Sequence, residues 1–276
     1  MPAPAQPSLA DLHAALLPVV AGVADFLRVE FGRVSAEQVE LKSLNQLVSY
    51  VDEEAERRLV DGLRGILPAA GFLTEEGTVA AAEAAGGDGG GWRWVVDPLD
   101  GTTNFLHGLP CFAISVALER EGRAEVGVVV DVARREVFSG YRGGAALLDG
   151  EPLPRLGSVA LAEALVATGL PFHDFSRADH YWRALDAVAR HSRGVRRWGA
   201  AAIDLAYVAA GRFQGFFEYA MQPWDIAAGC LLIELAGGEV SDLDGGDSAW
   251  RAGRELAAGA PGVRAALVEH WRAAAD

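Results

Sequence analysis

Lysine is nearly missing from this chain. Lys42 is the only one in 276 residues, and arginine supplies every other basic side chain, which makes the surviving lysine worth following. The 24 basic residues face 38 acidic ones, a formal net charge of −14 at pH 7, and neither end carries a charged tail. Nucleic-acid binding without sequence preference needs a basic face that neutralises phosphates, so such a partner is not expected. An anionic ligand would have to be drawn in by local groups against the global field. Cysteine is as scarce: Cys111 and Cys230 show no CxxC spacing, which leaves no disulfide framework and no zinc-thiolate site. The histidines His13, His107, His173, His180, His191 and His270 show no HExxH or paired spacing, against a histidine-centred metallohydrolase. No uninterrupted apolar run approaches the ~18 residues that span a bilayer. The opening Met-Pro-Ala-Pro-Ala-Gln-Pro lacks a basic segment, and Asp25 and Arg28 interrupt the apolar stretch after it. Residues 9 to 31 therefore read as an amphipathic helix rather than a signal peptide, with no membrane partner and the cytoplasm as the expected location.

What is present is apolar material, 51% of the residues, enough for a sizeable interior. Residues 47 to 67 predict a second helix, acidic early (Glu53, Glu54, Glu56) and basic late (Arg57, Arg58, Arg64), the order the helix dipole favours. Residues 92 to 97, 112 to 120, 124 to 131 and 135 to 141 read as successive strands of a largely antiparallel sheet. After about residue 150 the pattern becomes strand 163 to 169, helix 178 to 191, helix 200 to 211, strand 213 to 219, helix 224 to 237, strand 239 to 242 and a last helix from 261. This implies a second sheet flanked by helices. The chain thus divides into an α+β part over 1–150 and an α/β part over 151–276. The glycine-rich stretch Ala84 to Gly91 precedes a strand and lacks a Lys-Ser/Thr pair. It reads as a connector rather than a phosphate-binding loop.

The most informative segment runs Trp92-Arg93-Trp94-Val95-Val96-Asp97-Pro98-Leu99-Asp100-Gly101-Thr102-Thr103-Asn104. A β-prone run delivers Asp97 to its end, Pro98 stops the ladder, and Asp100 comes three residues later. Two carboxylates across a Pro-Leu corner can converge on one small volume, where they repel each other unless a cation sits between them. Gly101 to Asn104 then supply a tight turn, hydroxyls and free N–H groups suited to an anion. Taken alone, Asp-Pro and Asp-Gly are common surface turns. Company elsewhere changes that reading. Glu75 and Glu76 end the short apolar run from Gly71, and Asp225 opens an apolar helix in Gln222-Pro223-Trp224-Asp225-Ile226-Ala227-Ala228-Gly229.

These three segments resemble the inositol monophosphatase family of lithium-sensitive, magnesium-dependent phosphatases, whose motifs take the forms GEE, DP(I/L)DGTTNF and WD(V/I)AxG. Lys42 with Asn45 to Asp52, Gly199 to Ala206, and Phe216-Phe217-Glu218 are similar to further family segments, so the resemblance spans roughly residues 10 to 260. One departure is Gln46, where the family usually carries Asp.

The resemblance implies an α+β fold, the layered α-β-α-β-α sandwich of the inositol monophosphatase and fructose-1,6-bisphosphatase type. It implies two to three Mg²⁺ ions per site: Glu75, Asp97 and the Leu99 carbonyl at the first, Asp97, Asp100 and Asp225 at the second, and Glu75 with waters at a weaker third. It further implies that Thr102, hydrogen-bonded to Asp52, orients the water near Glu75, and that the Gly101 and Thr102 amides bind the phosphoryl oxygens. Glu218 would contact a substrate hydroxyl, and Gly199 and Ala201 would let the substrate ring approach the backbone, with Arg196 a further candidate for a substrate or an interface contact. The implied reaction is hydrolysis of inositol-1-phosphate, a phosphorylated polyol, by a homodimer. Histidinol phosphate, fructose 1,6-bisphosphate and adenosine 3′,5′-bisphosphate remain as alternative substrates. A regulatory partner of the RNA machinery remains as the non-enzymatic alternative.

Overall fold

The computed structural model describes residues 7–44, 46–80, 91–246 and 254–275. The first helix, α1 (Leu9–Glu30), begins with a reciprocal cap in which Ser8 Oγ accepts from Asp11 N at 3.1 Å and Asp11 Oδ2 accepts from Ser8 N at 3.2 Å. By length and apolar composition α1 could cross a membrane. Here its Leu12, Leu16, Val20, Val23 and Leu27 are buried at helical spacing and face α2 (Tyr50–Ile66) and the large sheet.

α2 starts three residues later than its charge pattern predicts. Residues 46 to 49 instead form β2 (Gln46–Ser49), which pairs antiparallel with β1 (Val39–Ser43), Leu47 opposite Leu41 and Val48 opposite Glu40. The short apolar Leu47-Val48 run suits either element, and the partner strand decides. Glycine-rich residues 84 to 90, the expected connector, lie outside the described residues.

The larger sheet has the order β3-β4-β5-β6-β7-β8-β9, with β3 (Gly71–Thr74), β4 (Trp92–Asp100), β5 (Ala113–Arg120), β6 (Arg123–Asp131), β7 (Glu136–Tyr141), β8 (Leu147–Leu148) and β9 (Glu151–Pro152). Among the described residues of this sheet, β3–β4 is the one parallel pair. Pro98 does not end the ladder as expected. β4 continues to Asp100, which pairs with Ala113 across a register shift that takes up Pro98 and Leu99. A bulge tolerates a residue without an N–H and re-aims the side chains beside it.

Helix α3 (Thr102–Leu106) comes next in the chain. The second sheet has the order β11-β10-β12-β14-β13, from β10 (Leu165–Thr168), β11 (Gly194–Arg196), β12 (Gly215–Tyr219), β13 (Glu239–Ser241) and β14 (Glu255–Gly259). β11 is three residues long and β14 is Glu-Leu-Ala-Ala-Gly, so neither carries the β-branched alternation that marks a strand in sequence.

Helices α1 and α2 cover the outer face of the seven-stranded sheet. α5 (Ala201–Ala209) and α6 (Pro223–Leu235) fill the space between the sheets, and α4 (Ala178–His191) with α7 (Val263–Ala273) covers the far face. The expected α-β-α-β-α sandwich is the fold. The two faces of β5 differ: Ile114, Val116 and Leu118 point to the α1–α2 core, while Ala113 and Ala117 point to α6. Small residues on β5 and on its neighbour β6 let α6 approach closely, to the extent that a Cβ on Gly127 of β6 would sit 3.2 Å from the Ala228 backbone. The chain passes from one sheet to the other between β9 (Glu151–Pro152) and β10 (Leu165–Thr168).

Candidate active site

Four carboxylates gather where the central strands end. Asp97 and Asp100 come from the bulged end of β4, and Asp97 Oδ1 accepts from Leu99 N at 2.9 Å, which fixes the corner. Glu75 lies just beyond β3, and its N–H donates to Val96 O at 3.2 Å, so the chain carrying it stays alongside β4. Asp225 stands in the first turn of α6. Ser115, which pairs with Asp97 across the sheet, donates Oγ–H to Trp224 O at 2.9 Å and moors that turn. Asp225 Oδ2 also accepts from Gln222 N at 2.8 Å, so it caps its helix as well as facing the cluster.

These acids do not want to ionise together. Burial, then the charges of Asp225 and Glu76, push Glu75 up to about 8. Asp97 is raised well above the usual carboxylate range by burial and then by Glu75, Asp100 and Asp225. Asp225 is raised by burial and Asp100. Burial raises Asp100 to about 6, held back by the Ala202 and Ala201 amides and the Arg197 charge.

Lys42 reaches this edge from β1. It donates to Glu76 Oε2 at 2.8 Å and Glu75 O at 3.0 Å, and its Nζ lies 4.0 Å from Glu75 Oε1. Burial works against its charge, but the Glu76 hydrogen bond and the surrounding carboxylates outweigh it and raise its pKa. The one lysine is thus spent on the Glu75 segment.

Asp52 serves two elements at once. Its Oδ2 accepts from Ser49 N (2.9 Å) and Ser49 Oγ (2.7 Å), a reciprocal cap of α2, while Oδ1 accepts from Thr102 Oγ1 at 2.9 Å. Thr102 Oγ1 also lies 3.0 Å from Leu99 O. A hydroxyl has one hydrogen, so the carboxylate and the carbonyl compete for it.

On the other side, Gly101 adopts φ +89°, and a Cβ there would lie 2.9 Å from Cys111 O and 3.2 Å from Gly199 O. Only glycine fits between these backbones. Asn104, part of the motif but given no structural role by the sequence, locks this approach by donating from Nδ2 to Cys111 O (2.8 Å) and Trp198 O (2.9 Å). Ala201 opens α5, and its amide and that of Ala202 (2.7 Å) serve the Asp100 carboxylate. In this structure these amides stabilise an acid, in addition to any room Gly199 and Ala201 leave for a ligand.

Glu218 leaves β12 over Gly169, where a Cβ would fall 1.8 Å from Glu218 Oε1. Burial raises Glu218 to about 8, with Arg197 opposing the shift. Arg197, not Arg196, is the arginine at the site: its guanidinium lies over Gly199, within 2.4 Å of where a Cβ would stand. Arg196 is exposed and turns back onto Val195 O at 3.0 Å. Alternate side chains of a strand leave on opposite faces, so adjacent arginines at the end of β11 cannot be told apart without the sheet.

Among the described residues no three ligand-type side chains are grouped tightly enough to enclose an ion as they stand. The donor set nevertheless fits Mg²⁺. It is all oxygen, and it consists of buried carboxylates that repel one another, which a divalent ion would allow to ionise together.

A layered α-β-α-β-α sandwich whose central strands end in such an acid cluster defines a class of phosphatases. The chain belongs to the inositol monophosphatase family, whose model matches residues 8–275. It is 45% identical over 217 residues to the inositol-1-monophosphatase of Mesorhizobium japonicum, covering 79% of this chain and 80% of that protein. It is 42% identical over 227 residues to the Nus factor SuhB of Pseudomonas aeruginosa, covering 82% of each. Among solved structures, the extragenic suppressor protein suhB of Bartonella henselae superposes with a TM-score of 0.87 at 37% identity, over 94% of this chain and 97% of that one. Family membership makes the protein a phosphatase of this kind.

Proposed function

We propose that the protein hydrolyses the phosphate monoester of a polyhydroxylated alcohol, inositol-1-phosphate before the alternatives. Two to three Mg²⁺ ions would be held by Glu75, Asp97, the Leu99 carbonyl, Asp100 and Asp225. The observation that carries this reading is the convergence of those four carboxylates beside the Asp52–Thr102 hydrogen bond, with Glu218 on the far side. Bound there, Mg²⁺ would supply charge neutralisation for the phosphoryl group and an activated water.

The chain's own residues do the rest. When the Leu99 carbonyl is otherwise engaged, Thr102 gives its hydrogen to Asp52, and its oxygen is left to accept from a water and orient it. The Gly101 and Thr102 amides, at the start of α3, are the proposed donors to the phosphoryl oxygens. Glu218 accepts from a hydroxyl of the leaving alcohol, with Arg197 favouring its charged form. In this reading the protein is a lithium-sensitive homodimer of the cytoplasm, with neither membrane nor nucleic acid as partner.

The test is phosphate release with Mg²⁺ from inositol-1-phosphate, histidinol phosphate, fructose 1,6-bisphosphate, adenosine 3′,5′-bisphosphate and glycerol-2-phosphate, on wild type and Glu218→Gln. Inositol-1-phosphate should be the best substrate. The variant should lose about 10-fold in kcat/KM on it, a hydrogen-bond change worth ~1–3 kcal/mol, and little on glycerol-2-phosphate. The loss should grow as pH passes about 8, where wild-type Glu218 becomes a charged acceptor. Equal losses on both substrates would remove the polyol reading.

A second reading, a regulatory role in RNA machinery, draws on the name of the Pseudomonas relative. An Asp97→Asn protein that lost hydrolysis but kept the cellular phenotype of wild type would favour it.

A further inference from the structure

Glu56 is a carboxylate buried in the middle of α2, fully shielded from solvent, and it belongs to none of the roles above. Its side chain collects four hydrogen bonds from the segment that carries Glu75. Oε2 accepts from Glu76 N at 2.7 Å, and Oε1 accepts from Thr78 N (2.7 Å), Thr78 Oγ1 (2.7 Å) and Thr74 Oγ1 (3.0 Å). These donors bracket Glu75 on both sides along the chain. The segment needs such an anchor, because it has left the ladder: β3 ends at Thr74 and Gly77 turns with φ +64°.

The other polar groups of the segment are engaged too. Glu75 N donates to Val96 O, and Lys42 holds Glu75 O and the Glu76 carboxylate. The Glu75 side chain is left to meet Asp97.

We propose that Glu56 is the positioning residue for Glu75: by clamping residues 74 to 78 from beneath, it presents the Glu75 carboxylate to a divalent cation at the end of β4. A carboxylate suits the task because it accepts at both oxygens and donates at neither, whereas every group facing it is an N–H or O–H. Glutamine keeps the size but turns an NH₂ toward donors, which frees either the Glu76 amide or the Thr78 pair.

The inference rests on the reading of Glu75 as a metal ligand, and the experiment separates the two. The full-length protein is titrated with Mn²⁺ by electron paramagnetic resonance, as wild type, Glu75→Gln and Glu56→Gln. Amide exchange of residues 75 to 78 is followed in metal-free protein. Glu56→Gln should weaken Mn²⁺ binding by about 10-fold or more, as residues that orient metal ligands do. It should speed exchange at Glu76 and Thr78, and raise the Mg²⁺ concentration for half-maximal hydrolysis while leaving KM for substrate unchanged. Excess Mg²⁺ should restore kcat, which it would not do for a general loss of structure.

If Glu56→Gln does not fold, Thr78→Val removes one hydroxyl donor without touching the core and should weaken Mn²⁺ in the same direction, about 3- to 5-fold. Wild-type Mn²⁺ affinity in whichever of these variants is folded would overturn the proposal alone. Wild-type protein or Glu75→Gln showing that Glu75 takes no part in Mn²⁺ binding would overturn the metal reading and the proposal with it.

Discussion

Asp52 shows how one side chain answers two readings of the same sequence. As the third residue of a helix opened by serine it is an ordinary reciprocal cap, and its Oδ2 does that. Its Oδ1 spans fifty positions of chain to Thr102. Burial raises its pKa against the pull of Ser49 and Thr102. If Thr102 positions the attacking water, Thr102→Ala should lower kcat by about 10²-fold or more with KM little changed. Asp52→Asn should fall in the same direction, with an added loss of stability from the weakened cap, about 1 kcal/mol. Steady-state kinetics and thermal unfolding on both variants check this. A change confined to KM would remove Thr102 from the chemistry. Glu218, Gly101 and Asp225 were visible as motif residues. Asn104 was visible in the motif but its role was not, and Glu56 carried no motif at all, because a turn asparagine and a helical glutamate are commonplace until their partners are seen.

At the level of elements, the acid cluster depends on how closely α5 and α6 lie against each other and the sheet. Gly229 makes this possible: a Cβ on it would stand 2.5 Å from Leu205 Cβ. Gly229 is one turn beyond Asp225, so any separation of the helices moves the metal-facing carboxylate. Gly229→Ala should destabilise the protein by about 1–3 kcal/mol through overpacking, despite alanine's better helix propensity. It should also raise the Mg²⁺ concentration needed for hydrolysis. Thermal unfolding and a Mg²⁺ titration measure the two effects, and an unchanged Tm would mean the helices shift without cost. Long periodic helices and the apolar strands read at 112 to 120 and 124 to 131, which form at 113 to 120 and 123 to 131, were legible in sequence. The hairpin 39 to 49, the strand at 255 to 259 and the continuation of β4 past Pro98 were not, since their existence depends on the strand beside them.

For the molecule as a whole, the site adds to a chain already strongly acidic, and metal-free protein should feel this. Glu75 and Glu218 are each pushed up to about 8, first by burial, and Asp97 and Asp225 rise well above the ordinary range. A carboxyl whose folded pKa exceeds its unfolded one binds its proton more tightly in the folded state. Stability is therefore highest at or below the unfolded value, near 4, and declines as pH climbs through about 8. In metal-free protein, Tm should fall between pH 6 and 8.5. Mg²⁺ should recover most of the loss at pH 8.5, since a ligand that binds only the folded state stabilises it. Calorimetry at the two pH values with and without Mg²⁺ decides, and a Tm that rose with pH in metal-free protein would contradict the shifts.

The sequence by itself determined the family, the order of the main helices and strands, and the identity of the acids, because those are carried by local periodicity and by short motifs contiguous in the chain. Tertiary structure alone decided which groups act on those acids. The α5 amides that stabilise Asp100, the guanidinium of Arg197 beside Glu218, the Ser115 tie to α6 and the Glu56 clamp on the Glu75 segment all join residues distant in sequence. Such pairings are set by the crossing of sheets and helices in space, for which a single chain of letters holds no local signal.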